Sequence, residues 1–268
     1  MKDILQEIIA HKHIEVEEQK KLIPLCLLES QLSEAMRRPT ISMHAALSAS
    51  PAGIIAEFKR KSPSKGWIFP DAEVEKVLPD YEFAGASACS VLTDPSFFGG
   101  SLEDLRSARR LVKIPLLRKE FIVDPYQLIE ARVAGADAVL LIAAVLSPEV
   151  CFDLAQTANK LQLEVLLEIH REDELGHMNR YIDMLGINNR NLGTFDTSLE
   201  HSFNLSQKFL QLNSDALLIS ESGISRPSTV RELRALGFRG FLIGEYFMRG
   251  GTPGKTLSEF IKEIEHDY

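Results

Sequence analysis

Five short stretches of the 268-residue chain carry acids and bases at spacings that bring them to one side of an extended backbone. Side chains of a strand alternate between two faces, so in IIAEFKRKSPSKG the residues Ile55, Glu57 and Lys59 share one face while Ile54, Ala56 and Phe58 take the other. PLLRKEF puts Lys119 on a face with Phe121, and LEVLLEI is an apolar run broken only by Glu164 at its start and Glu168 near its end. GINNRNL aligns Asn188 with Arg190, and LLISESGIS carries Glu221. Apolar surroundings push a carboxyl up and a lysine down, toward the range in which each gives or takes a proton near neutral pH. Any one such residue is more often half of an ordinary salt bridge; seven at one end of a hydrophobic sheet make an acid/base site. Ser222-Gly223-Ile224 and Gly244-Glu245 each follow an apolar run and precede a helical stretch. In that arrangement backbone N–H groups can bind a phosphate.

These residues meet only if the strands that carry them are parallel neighbours. Short apolar, β-branched runs bounded by turn signals predict eight strands: Gly53–Phe58, Ala88–Leu92, Ile114–Leu117, Ala138–Ala143, Leu163–Ile169, Met184–Asn188, Ala216–Ser220 and Gly240–Ile243. Between them lie stretches of helical periodicity such as 72–83, 102–112, 126–134, 149–161, 199–212 and 228–236, several introduced by capping or first-turn residues such as Ser101, Pro125 and Pro148. A strand and a helix alternating at intervals of about 25 residues is the length of a βα unit, and strands without polar alternation are those covered on both faces. The chain is therefore expected to be α/β, a single (β/α)8 TIM barrel (residues 49–268) with an N-terminal helical extension (residues 1–48). A doubly wound open sheet fits less well, because no G-x-G-x-x-G follows the first strand. In such barrels the chemistry sits at the C-terminal ends of the strands, and phosphate sits on the loops after the last two. The extension has Leu5, Ile8 and Ile9 on one helical stripe and Leu25, Leu28, Leu32 and Met36 on another.

Composition removes other classes of function. With 30 Lys and Arg against 38 Asp and Glu, the net charge is −8 and no long basic run is present, so nucleic acid is not an expected partner. The longest apolar stretch, Ala138 to Leu146, is about half of a membrane span, and the charged N-terminal stretch lacks the apolar core of a signal peptide. A cytoplasmic protein without membrane contact is expected. The three cysteines, Cys26, Cys89 and Cys151, form no C-x-x-C pair and are read as free thiols. No histidine spacing suggests a metal site. The run from Gly250 to Thr256 falls one residue short of a P-loop and is read as a turn before the last helix; Phe97, Phe98 and Trp67 lie in loops that either face a ring-bearing ligand or pack on their own barrel. Oligomeric state is not legible, and a monomer is the simpler expectation.

The segments IIAEFKRKSPSKGWI, SVLTDPSFFGGSLEDL, PLLRKEFIVDPYQLIEARVAGADAVLLI, LLEI, LGINNRNL, ISESGIS and FLIGEYFMRG resemble, in order and spacing, the signature segments of indole-3-glycerol-phosphate synthases. The resemblance spans residues 54 to about 250. It implies ring closure of 1-(2-carboxyphenylamino)-1-deoxyribulose 5-phosphate to indole-3-glycerol phosphate with loss of carbon dioxide and water, a carboxy-lyase step of tryptophan biosynthesis that needs no cofactor. It also implies an N-terminal segment that contributes to the substrate lid. By matching positions, Lys119 would be the general acid and Glu168 the general base of the dehydration. Lys59 would pair with the substrate carboxylate or help deliver a proton, and Glu57 and Asn188 would hold the reacting groups. Arg190 and Glu221 would support or bind. Phe121 and Leu140, with Phe97 or Phe98, would form apolar walls, and Leu192 would bind substrate. Ser62, Ser222, Gly223, Gly244 and Glu245 would line the phosphate site, Glu245 through its backbone, because a carboxylate repels phosphate. The sister barrel phosphoribosylanthranilate isomerase needs a cysteine/aspartate pair, and the first strand offers no cysteine. The alternative from another class is a non-catalytic sugar-phosphate-binding barrel.

Overall fold

The structure is a computed structural model that describes residues 4–190, 199–212 and 215–265. Eight parallel strands close into a barrel: β1 (Ile54–Phe58), β2 (Ala88–Leu92), β3 (Leu116–Lys119), β4 (Ala138–Ile142), β5 (Glu164–Ile169), β6 (Met184–Asn188), β7 (Leu217–Glu221) and β8 (Gly240–Ile243). Each pairs with its sequence neighbours, and β1 closes the ring against β8 with Ile55 opposite Leu242. The expected (β/α)8 architecture is the one observed.

Alternation along the strands produces two separate cores. Ile55, Leu117, Leu140, Leu166, Met184, Ile219 and Leu242 meet inside the barrel, whereas Ile54, Ala56, Phe58, Leu116, Val139, Leu141, Val165 and Leu167 face the surrounding helices. Burial on both faces is why these strands read as unbroken apolar runs. The third strand lies further along than the sequence suggests. Pro115 has no N–H for the ladder, and the strand instead runs on through Arg118, which is buried against Thr93 Oγ1 (3.2 Å) and the Gln127 carbonyl (2.6 Å), to Lys119. Lys119 is therefore fixed by the sheet itself.

The helices start where short polar side chains satisfy their first amides. Ser101 caps α6 (Leu102–Leu111), Asp124 and Gln127 form a capping box on α7 (Pro125–Ala134), and Ser147 caps α8 (Pro148–Lys160), the last two with proline as first helical residue. The remaining barrel helices are α4 (Val74–Phe83), the short α5 (Pro95–Phe98), α9 (Leu199–Leu210), α10 (Pro227–Ala235), the short α11 (Glu245–Met248) and α12 (Pro253–Glu265). No helix among the described residues is long and apolar enough to cross a membrane.

Three helices precede the barrel. In α1 (Ile4–Leu22) and α2 (Leu25–Ala35), Val16 and Leu28 are buried against Tyr126 of α7, while Leu25 is exposed. The expected boundary at residue 48 falls inside α3 (Met43–Ala49), whose Met43 and Leu47 are fully buried in the floor of the barrel interior. Glu164, at the first residue of β5, accepts hydrogen bonds from Ser42 Oγ (2.5 Å) and from the amides of Met43 (2.7 Å) and His44 (2.9 Å), which locks the start of that helix. Asp137 receives Arg38 (2.9 Å) and Arg109 (2.6 Å) beside it.

Candidate active site

At the opposite end, the inward alternation of five strands continues one step past the apolar layer, and there the inward residue becomes polar. Ile55 is followed by Glu57, Leu117 by Lys119, Leu166 by Glu168 and Ile219 by Glu221, and Met184 leads through Gly186 to Asn188. These side chains line one cavity of about 760 Å³ with Lys59, Ser62, Phe121, Leu140, Arg190, Ser222, Gly223, Gly244 and Glu245. Its volume is that of a small-molecule site.

The centre of the cavity is a chain of alternating charge. Lys59 Nζ lies 2.6 Å from Glu57 Oε1, and Lys119 Nζ bridges Glu57 Oε2 (3.9 Å) and Glu168 Oε2 (3.8 Å). Burial alone would favour the neutral form of every member. Burial pushes Glu57 up, but Lys59 and Lys119 outweigh it and hold its carboxyl below the ordinary range. Glu168 behaves in the same way: burial opposes its charge, and Lys119, His170 and the hydrogen bonds from Asn188 and Glu221 keep it ionised. Lys119, which burial would strip of its proton, is pushed up by Glu168, Glu57 and Glu221. Glu221 goes the other way, well above the ordinary range, because it is buried and faces the Glu168 carboxylate with only partial help from Lys119. The raised Glu221 carboxyl favours its neutral form, which is placed to donate to the Glu168 carboxylate.

Glycine makes room for this crowding. A Cβ at Gly186 would stand 2.1 Å from Glu221 Oε1, and one at Gly244 would stand 2.4 Å from Glu57 Oε1. Asn188 Nδ2 donates to Glu168 Oε1 (3.1 Å), while its own Oδ1 accepts the Arg190 amide (3.0 Å). Arg190 reaches Ser64 Oγ (3.1 Å) and Glu245 Oε2 (3.4 Å), and Arg249 holds the other Glu245 oxygen. The Glu245 side chain is thus committed to two arginines.

The two sides of the cavity differ in character. After β2, β3 and β4 it is walled by Phe98, Phe121, Leu140 and Ile142, with the Phe98 and Phe121 rings 6.0 Å apart, and Ile4, Leu5 and Ile8 of α1 cover it. After β7 and β8 it is lined by Ser222, Gly223 and Gly244 together with the polar and charged side chains of Ser225, Glu245 and Arg249. There Ser222 (φ 67°) and Gly223 (φ 74°) are successive left-handed residues, a conformation costly for serine. Asn189 holds that turn by donating to the carbonyls of Glu221 (3.0 Å) and Ser222 (3.1 Å), and its Oδ1 accepts from Ser202.

Fourteen of the residues singled out from the sequence therefore converge on this one cavity. Phe97 does not line it: Asp94 caps α5, and the helical turn sends Phe97 against His11 of α1 and Phe98 into the cavity instead. Leu192 lies outside the described residues. Trp67 is exposed and sits over Gly99. The family resemblance implied an N-terminal contribution to the lid without naming its residues, and sequence reasoning did not find Arg249 or Asn189. It also missed His170, whose Nε2 is 3.3 Å from Glu168 Oε1 and which the alternation past Glu168 on β5 could have flagged.

Comparison with known proteins agrees with this arrangement. A protein of Bacteroides thetaiotaomicron named indole-3-glycerol phosphate synthase is 57% identical over 265 residues, 99% of this chain and 100% of that protein. A Prochlorococcus marinus protein of the same name is 42% identical over 267 residues, 98% of this chain and 90% of its own length. Among solved structures, a mutant tryptophan synthase α-subunit from Pyrococcus furiosus superposes with a TM-score of 0.60 over 80% of this chain and 97% of that one; at 13% identity it shares the fold alone. The profile of the indole-3-glycerol phosphate synthase family matches residues 5–260, helices and barrel together, and the chain belongs to that family.

Proposed function

We propose that the cavity closes the indole ring of 1-(2-carboxyphenylamino)-1-deoxyribulose 5-phosphate, releasing carbon dioxide and water to give indole-3-glycerol phosphate. The observation that carries this reading is the position of Lys119. Its ammonium lies between the Glu57 and Glu168 carboxylates, which hold its proton more tightly than usual, with an apolar wall on one side and the Ser222–Gly223 turn on the other. A phosphorylated substrate with an aromatic ring fits with its phosphate on the loops after β7 and β8 and its ring against Phe98, Phe121 and Leu140.

Attack of the ring carbon on the carbonyl develops negative charge on the carbonyl oxygen. Lys119, loaded with its proton, neutralises that charge beside the apolar wall of Phe121 and Leu140. Lys59 faces the substrate carboxylate that leaves as carbon dioxide. Glu168, ionised and aimed by Asn188, takes the proton whose loss accompanies dehydration. Glu57 helps keep Lys119 charged and holds both lysines in place, and Glu221, its carboxyl raised, steadies Glu168 without adding repulsion. Arg190, tied to Ser64 and Glu245, closes the polar side. A cytoplasmic setting, in which buried thiols such as Cys89 and Cys151 stay reduced, fits this chemistry.

The test is indole fluorescence on mixing the purified chain with the carboxyphenylamino-deoxyribulose phosphate in the presence of a chelator. Product formation is expected. A folded protein that binds this substrate without turning it over would return the barrel to the non-catalytic sugar-phosphate reading.

A further inference from the structure

Lys12 of α1 lies outside the reacting centre and is fully buried. Its Nζ is 2.9 Å from Asp94 Oδ2, 3.0 Å from Glu120 Oε1 and 3.0 Å from Glu15 Oε1. An isolated ammonium at that depth would be costly, and the three carboxylates offset its desolvation and keep it charged. Asp94 and Glu120 are buried as well, and each positions a different part of the cavity wall. Asp94 accepts the Phe97 amide (2.6 Å) and so starts the turn that carries Phe98. Glu120 follows Lys119 in the chain, lines the cavity, and accepts from the Phe121 amide (2.9 Å) and Thr93 Oγ1 (2.7 Å). On α1 itself, Ile8 and Ile4 stand one and two turns before Lys12 on the same stripe, since residues four apart share a helix face, and both line the cavity. One buried side chain thus ties together the helix over the cavity, the turn after β2 and the end of β3.

Resting on the ring-closure reading above, we propose that Lys12 is a positioning residue for the aromatic end of the substrate: its three-way ion pair seats α1 so that Ile4, Leu5 and Ile8 complete the apolar wall with Phe98 and Phe121. The phosphate end, across the barrel on β7 and β8, is built without it. Loss of the ammonium leaves two buried carboxylates in mutual repulsion, which loosens α1 from the wall while the Lys119 centre keeps its own partners.

The experiment is steady-state kinetics of Lys12→Met with the carboxyphenylamino-deoxyribulose phosphate, with inorganic phosphate as competitive inhibitor of the other end. The expected result is a KM raised about tenfold or more, the equivalent of about 1.4 kcal/mol, with kcat and the phosphate inhibition constant near wild type. Amide exchange of residues 4–22 should also be faster. An unchanged KM overturns the proposal, and so does a parallel rise in the phosphate constant, which would mean that Lys12 supports the whole mouth. If Lys12→Met does not fold, Ile8→Ala, which keeps the ion pairs, decides: the same rise in KM supports the wall, and an unchanged KM removes it. Absence of turnover in the wild type would instead strike at the ring-closure reading, and the two failures are distinct.

Discussion

Lys119→Met replaces an ammonium by an apolar chain of similar length and is the sharpest probe of the centre. The ammonium stands 3.8 Å from Glu168 and 3.9 Å from Glu57. At that separation, with an effective dielectric of about 20, a unit charge is worth about 4 kcal/mol to an opposite charge. A carbonyl oxygen that gains charge at the same distance loses the same amount when the ammonium goes, which is about three decades of rate. The figure lies within the range of about 10²–10⁴ for a positioned acid. A second effect follows from the free site. Without Lys119, Glu57 and Glu168 face each other with Lys59 as their remaining ammonium, so Glu168 takes up a proton more readily. The acid limb of the kcat/KM profile then moves to higher pH. Both effects are read in one fluorescence assay across about pH 5 to 9, with the melting temperature as a control for folding. Lys59→Met is the comparison. Lys59 is held by Glu57 at 2.6 Å, and on the proposed reading it meets the substrate carboxylate, so its loss should appear more in KM than in kcat. A Lys119→Met enzyme within tenfold of wild-type kcat, or one whose whole loss lies in KM, would refute the acid role.

Glu221→Gln tests the neutral acid. Because burial and Glu168 raise the Glu221 carboxyl above its unfolded value, the folded state binds the extra proton, and stability falls as pH rises from the ordinary carboxyl range through the raised value. Glutamine has no proton to lose, so the variant should gain melting temperature relative to wild type at pH 8 but not at acid pH. The gain is about 2–4 °C for each kcal/mol relieved, and identical pH dependence in the two proteins would argue against a neutral Glu221. Glu57 and Glu168, held low, act oppositely, with a contribution that is present above the ordinary carboxyl range and lost as pH falls. Gly186→Ala places a methyl 2.1 Å from Glu221 Oε1. The carboxyl must then shift from its place, at a cost of about 1–3 kcal/mol in stability and with a clear fall in kcat; wild-type kcat would show that the Glu221 position is not needed.

The ring of acids and bases was legible because a strand buried on both faces leaves its alternation intact, so that Ile55 and Glu57, or Leu166 and Glu168, had to share a face. Alternation failed where the backbone stopped being extended. Asp94 and Pro95 start a helical turn, successive side chains there diverge by about 100° rather than 180°, and Phe98 rather than Phe97 faces the cavity. The third strand was placed early because Arg118 and Lys119 read as a strand's end. Arg118 is in fact paid for by Thr93, Gln127 and Glu130 in the interior. The stripe on α1 showed that a face is buried but not what it is buried against; that Ile8 meets a cavity and Lys12 meets Asp94 and Glu120 depends on contacts distant in sequence. Asn189 acts through other residues, and nothing local marks such a role.

The floor of the barrel has a consequence for how the chain is made. Met43 and Leu47 are sealed among strands that come later in the sequence, and their helix is locked by Glu164, more than 120 residues downstream of Ser42. Arg38 waits for Asp137, 99 residues away. This segment, made before the barrel, thus finds its partners only after about half of the barrel has been synthesised. Until then it presents an apolar helix face to solvent, a long-range closure of the kind that slows folding and invites association. The end of the molecule remote from chemistry is where its biogenesis is most exposed.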